Sequence, residues 1–333
     1  MNKMCVLGAG SWGTALALVL AENGNEVALW TLDENQKETI NKERSNEKYL
    51  PGISIHKNIK ATCDIEYAVK DSELIVLAVP SQAIRGVCKK ISSFVSSKQI
   101  LVNVAKGLEK STGLRMSEVV LDEIEHAKFV VLSGPSHAEE VALGLPTTIT
   151  VASAEVEDAL KVQDIFINKN FRVYTNTDII GVELGGTLKN IIAFGAGICD
   201  GVGYGDNTKS ALITRGLAEI KRLGTALGAN AETFSGLSGI GDLIVTCTSQ
   251  HSRNRKAGML IGQGKTLEET LEEVQMVVEG IVATEVAYNL SKKVEVEMPI
   301  TEAIYSVLHK GVSPRDAVEE LMSRDGKCEK FFN

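Results

Sequence analysis

The stretch VLGAGSWGTA (residues 6–15) decides the fold, because it places Gly8, Gly10 and Gly13 at G-x-G-x-x-G spacing. An apolar strand-like run precedes it, and the helix-like run TALALVLAENG (14–24) follows it. In such a turn the first glycine permits a tight bend, the second lets a pyrophosphate approach the backbone, and the third lets the helix pack on the sheet. The pattern predicts a dinucleotide-binding turn, although a purely structural turn can show the same spacing.

Strand and helix signals alternate from the start of the chain to about residue 177. The apolar runs with strand character are MCVL (4–7), EVALW (26–30), LIVLAV (74–79), ILVNVA (100–105), FVVLSG (129–134), TTITVA (147–152) and NFRVYT (170–175). Their continuous hydrophobicity is typical of parallel strands covered on both faces. From Asp178 onward long helical stretches dominate, and the predicted helices are 178–199, 208–227, 266–274, 280–293, 299–309 and 314–323. We therefore predict an α/β fold, with an N-terminal Rossmann-like doubly wound sheet in residues 1–177 and an all-α C-terminal domain in residues 178–333.

Composition narrows the function classes. The net charge of −8 argues against a nucleic-acid partner, which favours a basic surface. The six cysteines are scattered without a C-x-x-C pair, which is typical of reduced thiols in a cytoplasmic protein. The histidines show no metal-ligand spacing, so we expect no metal. No apolar run looks long enough to span a bilayer, so we expect no transmembrane segment.

Asp33 lies 20 residues after Gly13, just beyond the second strand run. An acidic residue there accepts hydrogen bonds from the ribose hydroxyls of a bound NAD. The same residue is equally suited to be the N-cap of the helix that begins at ENQKETI (34–40). Both roles, and the choice between NAD and NADP as cofactor, therefore stay open.

A lysine stands among very small residues in the stretch 181–216. Gly185, Lys189, Ala193 and Gly197 are four residues apart and share one helical face. Glycine is costly inside a helix, so this face predicts close approach of a ligand or of another backbone. A lysine on such a face is partly desolvated and suited to proton exchange. The alternative is a lysine that reaches solvent past a tight helix contact.

The chain resembles the NAD(P)-dependent glycerol-3-phosphate dehydrogenases of the bacterial type. The matching stretches run in family order along nearly the whole chain: GAGSWGTALA (8–17), VPS (79–81), AKGLE (105–109), SGPSHAEEVALGLPT (133–147), GGTLKN (185–190), GAGICDGVGYGDNTKSALITRG (195–216), GIGDLIVTCTSQHSRNR (239–255) and VVEG (277–280). The resemblance implies hydride transfer between NAD(P)H and dihydroxyacetone phosphate, giving sn-glycerol 3-phosphate for phospholipid synthesis.

The resemblance also implies roles for individual residues. It makes Lys189 the proton donor and acceptor at the substrate C2 oxygen, held by Asp242, with Asn190 and Thr246 as polar groups of the catalytic site. The Thr246 hydroxyl could instead bond back to a carbonyl of its own helix. The other residues implied to contact substrate are Lys106, Gly134, Ser136, Ser252, Arg253 and Asn254. Those implied to contact cofactor, besides the glycine loop and Asp33, are Ser11, Trp12, Lys106, Ala138, Arg253, Val277 and Glu279.

The sequence departs from the family pattern at two places, and two alternative functions stay open. TLDE (31–34) has no cation for a 2′-phosphate, and His137 replaces a commonly aromatic residue, which we interpret as a substitution rather than a catalytic group. The alternatives are another two-domain hydroxy-acid dehydrogenase and a non-catalytic nucleotide sensor. Apolar helical faces in the second half are compatible with a homodimer.

Overall fold

The computed structural model describes residues 2–326 and Glu329 of the chain, which divide into two compact units. The first unit comprises residues 2–109 and 114–182, and the second comprises residues 110–113 and those from 183 onward. The chain thus passes into the second unit after Val182, whereas the sequence-based division falls after residue 177.

The first unit is built on one eight-stranded sheet. Its strands are β1 (Lys3–Leu7), β2 (Glu26–Trp30), β3 (Ile59–Thr62), β4 (Leu74–Leu77), β5 (Ile100–Asn103), β6 (Lys128–Ser133), β7 (Thr147–Ala152) and β8 (Phe171–Asn176). They lie in the order β3-β2-β1-β4-β5-β6-β7-β8. All neighbouring pairs are parallel except β6 with β7, so β7 and β8 run opposite to the other six. The predicted Rossmann-like sheet is therefore confirmed, and β3 is the strand that the sequence analysis did not identify.

Both faces of the sheet are covered, which explains the continuous hydrophobicity of its strands. Met4 and Val6 of β1 belong to one buried cluster, and Cys5 and Leu7 belong to a second cluster on the opposite face. The covering helices are α1 (Ser11–Glu22), α2 (Glu34–Lys42), α3 (Ile65–Val69), α4 (Ile84–Ile91), α5 (Met116–Glu123), α6 (Ala138–Ala142) and α7 (Val156–Phe166). Because side chains alternate along a strand, each central strand contributes to two cores.

The second unit is helical, as predicted. Its helices are α8 (Ile179–Val202, whose first turn belongs to the first unit), α9 (Asp206–Ala226), α10 (Asp242–Thr248), α11 (Arg253–Gly262), α12 (Leu267–Val274), α13 (Glu279–Lys293), α14 (Pro299–His309) and α15 (Pro314–Met322). A π-helical turn, Leu237–Gly241, leads directly into α10. The helices α10 and α11 were not identified from the sequence, which left residues 228–265 without assigned elements.

Helix α8 corrects one expectation. Its 24 residues, with a mean hydropathy of 1.3 over the best window, are long and apolar enough to cross a bilayer by length and composition alone. The expectation that no apolar run has this length was therefore wrong. The window is 89 % buried inside the protein, as is typical of the core helix of a folded domain.

A buried carboxylate holds the start of α14. Glu219 on α9 is 2 % exposed. It accepts hydrogen bonds from the backbone N–H groups of Ile300, at 2.6 Å, and Thr301, at 3.1 Å. Burial raises the pKa of Glu219 to about 7, against the opposing effect of these donors. The carboxyl group therefore titrates near neutral pH in the folded protein.

This pKa predicts how stability changes with pH. Because the folded-state value lies above the unfolded one, the folded chain binds more protons between about pH 4.5 and about pH 7. The resulting stabilisation is complete below this window and is lost as the pH rises through about 7. We expect Glu219→Gln to remove this dependence, so the variant gains stability relative to the wild type between about pH 5 and about pH 8.

The measurement is urea unfolding of both proteins at several pH values. The control is Glu302→Gln, which changes an exposed glutamate on α14 that is ion-paired with Lys292. We expect its free energy of unfolding to stay parallel to that of the wild type. A constant difference between wild type and Glu219→Gln across the window would contradict the assignment.

Candidate active site

The three glycines of the first loop have different structural reasons to be glycine. Gly8 has a φ of +119°, and a Cβ atom on it would lie 2.5 Å from the carbonyl oxygen of Ala78. A Cβ on Gly13 would lie 1.9 Å from the carbonyl oxygen of Gly8, so only glycine lets α1 pack this closely. Gly10 has an ordinary φ of −73°, and a Cβ atom there would meet nothing within 4 Å. Packing within the protein therefore does not require glycine at this position.

The loop fits the pyrophosphate of a dinucleotide. Gly10 is the N-cap of α1, and no side chain caps this helix end. The first turn of α1 contains no acidic residue either. Backbone N–H groups at an uncapped helix start attract a phosphate. The loop also follows β1, which lies where the strand order reverses, and ligands of open α/β sheets bind at this point.

Two amides that the sequence analysis missed shape this loop. The side chains of Gln36 and Asn46 donate hydrogen bonds of 2.7 and 3.0 Å to the carbonyl oxygen of Ala9, between the first two glycines. Asn46 also donates to the Thr14 hydroxyl, at 2.9 Å. They hold the loop in its bend before any ligand binds. No sequence pattern predicts these contacts, because Gln36 and Asn46 are distant from the loop in sequence and only the fold brings them to it.

The remaining first-loop residues have contacts within the first unit. The Ser11 hydroxyl donates to the carbonyl oxygen of Tyr49, at 2.8 Å, and Trp12 packs partly buried against the core. Asp33 is the N-cap of α2, since its carboxylate accepts from the N–H groups of Asn35 and Gln36. The capping alternative for Asp33 is therefore what the structure shows, and its exposed carboxylate stands beside Leu32, which is 77 % exposed.

Three residues implied by the resemblance meet beyond the carboxyl ends of β5 and β6. The Lys106 ammonium donates to the carbonyl oxygen of Gly134, at 3.0 Å, and the Ser136 hydroxyl donates to the same oxygen, at 2.9 Å. Gly134 has a φ of +148°, which disfavours any other residue there. Ala138 opens α6 a few residues later and is buried.

Lys189 is buried in the second unit and paired. Its ammonium lies 2.6 Å from Asp242 Oδ1 and 2.6 Å from the Thr246 hydroxyl. The side chains of Lys189 and Asp242 are only 7 % and 1 % exposed. The Thr246 hydroxyl also donates to the carbonyl oxygen of Asp242, at 2.6 Å, so it bonds back to its own helix while it contacts Lys189. A lysine that reaches solvent, the alternative from the sequence, is excluded.

Two glycines bring the partners of this pair together. A Cβ on Gly185, one turn before Lys189, would lie 2.5 Å from the carbonyl oxygen of Ser238 in the π-helical turn. A Cβ on Gly239 would lie 2.1 Å from the carbonyl oxygen of Phe234. The turn that ends at Asp242 can therefore press its backbone against α8. Such π-helical turns are frequent at functional sites.

A second polar chain joins the remaining substrate candidates. Asn254 donates to the side-chain oxygen of Asn190, at 3.0 Å, and accepts from the backbone N–H of Gly280, at 2.8 Å. Gly280 follows Glu279, the first residue of α13 and a cofactor candidate that is half-buried. Val277, the other candidate in this segment, is exposed. No sequence pattern predicts that Asn254 anchors this segment.

The Ser252–Asn254 segment forms the start of α11. Ser252 is buried and is the N-cap, since its hydroxyl oxygen accepts from the backbone N–H of Arg255 at 3.2 Å. Arg253 is the first residue of the helix and is exposed. Within residues 2–326, it forms no ion pair with an acidic side chain. An exposed guanidinium at a helix N-terminus is suited to binding an anion.

The glycine loop generates a test that separates binding from folding. We expect Gly10→Ala to melt within a few degrees of the wild type, because its methyl group meets no neighbour. It should weaken NADH and NADPH binding about tenfold or more, because that methyl group blocks the pyrophosphate. Gly13→Ala is the matched control, in which the added methyl group collides with the Gly8 carbonyl and lowers the melting temperature. Unchanged cofactor affinity in Gly10→Ala, measured by fluorescence titration, would contradict the interpretation.

Comparisons with known proteins match both units of the chain to one family. Residues 3–159 match the model of the NAD-dependent glycerol-3-phosphate dehydrogenase N-terminus, and residues 178–319 match that of its C-terminus. A glycerol-3-phosphate dehydrogenase [NAD(P)+] of Clostridium perfringens is 55 % identical over 331 residues, covering 99 % of this chain and 100 % of the relative. The enzyme of that name from Bacillus subtilis is 57 % identical over 327 residues, covering 97 % and 95 %.

A solved structure leads to the same conclusion. The crystal structure of glycerol-3-phosphate dehydrogenase from Coxiella burnetii superposes with a TM-score of 0.93 at 39 % identity, over 97 % of this chain and 99 % of that chain. The resemblance found in the sequence is thereby confirmed over both units. The chain belongs to the NAD-dependent glycerol-3-phosphate dehydrogenase family.

Proposed function

We propose that this chain interconverts dihydroxyacetone phosphate and sn-glycerol 3-phosphate, with Lys189 exchanging the proton at the C2 oxygen. As a member of its family, the chain is an NAD(P)-dependent oxidoreductase. The observation that carries the chemical proposal is the buried ion pair between Lys189 and Asp242, at 2.6 Å. Burying an ammonium and its carboxylate partner costs desolvation free energy, so we expect the pair to have a function.

The proton step follows from this arrangement. When bound, the nicotinamide supplies a hydride to C2 of the substrate or accepts one from it. During reduction, negative charge develops on the C2 oxygen, and Lys189 stabilises this charge and then donates a proton to it. In the reverse direction Lys189 takes that proton back. Asp242 and Thr246 fix the ammonium, so that its remaining freedom is small.

The start of α11 is proposed to bind the substrate phosphate. Arg253 offers a fork of N–H donors that matches phosphate oxygens. The helix N-terminus adds its partial positive charge, and Ser252 and Asn254 add neutral polar groups. Asn190 follows Lys189 on α8 and is hydrogen-bonded to Asn254, so it adds a further amide to these polar groups.

The first unit is proposed to contribute the remaining contacts. Lys106, with Gly134 and Ser136, would contact the substrate, and Lys106 would also contact the cofactor. The cofactor would lie on the glycine loop, with further contacts from Ser11, Trp12, Asp33, Ala138, Arg253, Val277 and Glu279. Their support is the family resemblance, together with the position of the loop and of Lys106 at the carboxyl ends of the strands.

The physiological setting is also a proposal. The product is a precursor suited to glycerophospholipid synthesis. The cysteines within residues 2–326 are all free thiols, which supports action in the cytoplasm. A homodimer through apolar faces of the second unit is proposed as well, on the basis of exposed side chains such as Met322, which is 80 % exposed. Light scattering of the purified chain tests it.

The direct test of function is the decay of reduced-nicotinamide absorbance after mixing the protein, dihydroxyacetone phosphate and either NADH or NADPH. We expect decay with at least one of the two cofactors. No decay with either would contradict the proposal and favour a nucleotide sensor. Turnover of a 2-keto acid, with none of dihydroxyacetone phosphate, would favour a hydroxy-acid dehydrogenase instead.

Removal of the lysine tests the chemical step. We expect Lys189→Ala to lower kcat by about 10²-fold to 10⁴-fold, the range for a lost general acid. NADH affinity should remain, since the dinucleotide site lies on the glycine loop. Lys293→Ala, which changes an exposed lysine of the second unit, is the control and should keep its kcat.

Because Lys189→Ala leaves Asp242 without its ammonium, the double variant Lys189→Met/Asp242→Asn is also needed. It removes both buried charges and spares the fold an uncompensated carboxylate. A kcat near that of the wild type in a folded form of either variant would exclude Lys189 from the mechanism.

Arg253→Leu tests the phosphate site. We expect the KM for dihydroxyacetone phosphate to rise about 10-fold to 100-fold, since hydrogen bonds between charged groups are lost. Lys256→Leu is the matched control, because it removes an exposed cation from the same helix one turn later. Steady-state kinetics give both values, and an unchanged KM in Arg253→Leu would contradict the assignment.

A further inference from the structure

The stretch GAGICDGVGYGDNTKSALITRG (195–216) matches the family closely, yet the proposed function uses none of its charged residues. Two of them, Asp200 and Lys209, form an ion-pair cluster with Arg255 near the start of α11. Asp200, in the last turn of α8, accepts from Arg255 Nε at 2.7 Å and from the Lys209 ammonium at 2.5 Å. The three side chains are between 14 % and 21 % exposed. Helices α8, α9 and α11 therefore meet at one carboxylate.

Arg255 connects both ends of the proposed phosphate-binding segment. Its Nε bonds to Asp200, and its Nη1 lies 3.4 Å from the carbonyl oxygen of Ser249, which ends α10. Its backbone N–H meanwhile donates to Ser252. The chain between Ser249 and Arg255 is thus closed into a loop that contains Arg253. A displacement of Arg255 would move that segment.

The backbones of α8 and α11 are in close contact at three glycines. A Cβ on Gly197 would lie 2.0 Å from the carbonyl oxygen of Arg255, and one on Gly201 would lie 2.1 Å from that of Met259. From the other side, a Cβ on Gly258 would lie 1.9 Å from the carbonyl oxygen of Phe194. Two helices in such close backbone contact cannot slide past each other without a steric clash. Lys189 is carried on the same α8.

We infer that Asp200 and Arg255 are positioning residues, which hold the start of α11 at a fixed distance from Lys189 and so place the substrate phosphate for reaction at C2. The glycine contact sets how closely the helices approach, and the ion pair sets the orientation of the segment. Asp200 carries one negative charge against the two positive charges of Lys209 and Arg255. Without Asp200 this excess of positive charge would grow and would by itself strengthen anion binding, so weaker phosphate binding in its absence reports the loss of position. The inference rests on the proposed function.

The competing explanation is an ion pair that serves only the stability of the helices. Such a pair would change the free energy of unfolding and nothing in the binding of phosphate. A stability role alone would reduce the amount of folded enzyme, and hence the apparent kcat, without changing affinity for phosphate. A positioning role would change the KM for dihydroxyacetone phosphate and the inhibition constant of inorganic phosphate together. These two measurements distinguish the explanations.

The test uses Asp200→Asn, which is nearly isosteric and leaves Arg255 and Lys209 without their carboxylate. We expect the KM for dihydroxyacetone phosphate and the inhibition constant of inorganic phosphate each to rise about tenfold. The change in kcat should be smaller, and the dissociation constant of NADH should stay within about twofold of the wild type. Arg255→Lys keeps the charge and loses the fork, so we expect a rise of about threefold.

Further variants complete the design. Asp200→Asn/Arg255→Gln should raise KM no more than the larger single change, because the two residues act through one another. Glu273→Gln, which breaks the exposed ion pair between Lys265 and Glu273, is the matched control and should leave both constants unchanged. If Asp200→Asn does not fold, Arg255→Lys decides the question.

The outcomes are distinguishable. Both constants within twofold of the wild type in the folded variants would overturn the inference while leaving the proposed function intact. Loss of kcat alone would overturn it as well, in favour of the stability role. Absence of turnover by the wild type itself would overturn the proposed function and this inference together.

Discussion

The structure of the second unit depends on one buried ion pair. Lys189 and Asp242 lie on different helices, 53 residues apart in sequence, and both side chains are almost completely withdrawn from water. A buried ammonium without a partner would cost several kcal/mol, so each residue requires the other. The pair therefore constrains how α8 meets the π-helical turn and α10. A protein without a chemical use for the pair could replace it with apolar side chains at no loss of stability.

Glycine residues on α8 allow the close helix packing that accompanies this ion pair. Around Lys189 the absence of side chains lets backbones approach α8 at two levels, at Gly185 for the turn that carries Asp242 and at Gly197 and Gly201 for α11. Each such glycine costs about 1 kcal/mol of helix stability relative to alanine. That cost is offset by close packing, which brings the ion pair of Lys189 with Asp242 and the start of α11 to one buried helix. The same residue type serves a different purpose at Gly10, where the open side faces outward.

Hydrogen-bonded amides hold both candidate sites in place. Gln36 and Asn46 fix the carbonyl of Ala9 inside the glycine loop, and Asn254 joins Asn190 to the start of α13. A polar group that is held by its neighbours loses less entropy when a ligand binds. Both candidate sites are therefore held by their own hydrogen bonds, and the role proposed for the ion pair of Asp200 with Arg255 is of the same kind.

The sequence by itself determined the sheet and the family. Continuous apolar runs mark central strands, and the glycine spacing after the first of them marks the nucleotide loop, because these are local consequences of backbone geometry and burial. It also singled out Lys189, since small residues four apart must share a helical face. The boundaries of α8, α9 and α12 to α15 were largely predictable for the same reason.

Only the tertiary structure decided which distant groups meet. The helices α10 and α11 were not identified from the sequence, even though Asp242 and Arg253 begin them. Their positions depend on contacts with α8, through Lys189 and the glycines of that helix. The hydrogen-bond partners of Ala9, Asn254 and Asp200 are separated from them by up to 64 residues in sequence, and no periodicity predicts such contacts. The role of α8 as a core helix was likewise decided by burial, because length and hydropathy alone do not distinguish a protein interior from a bilayer.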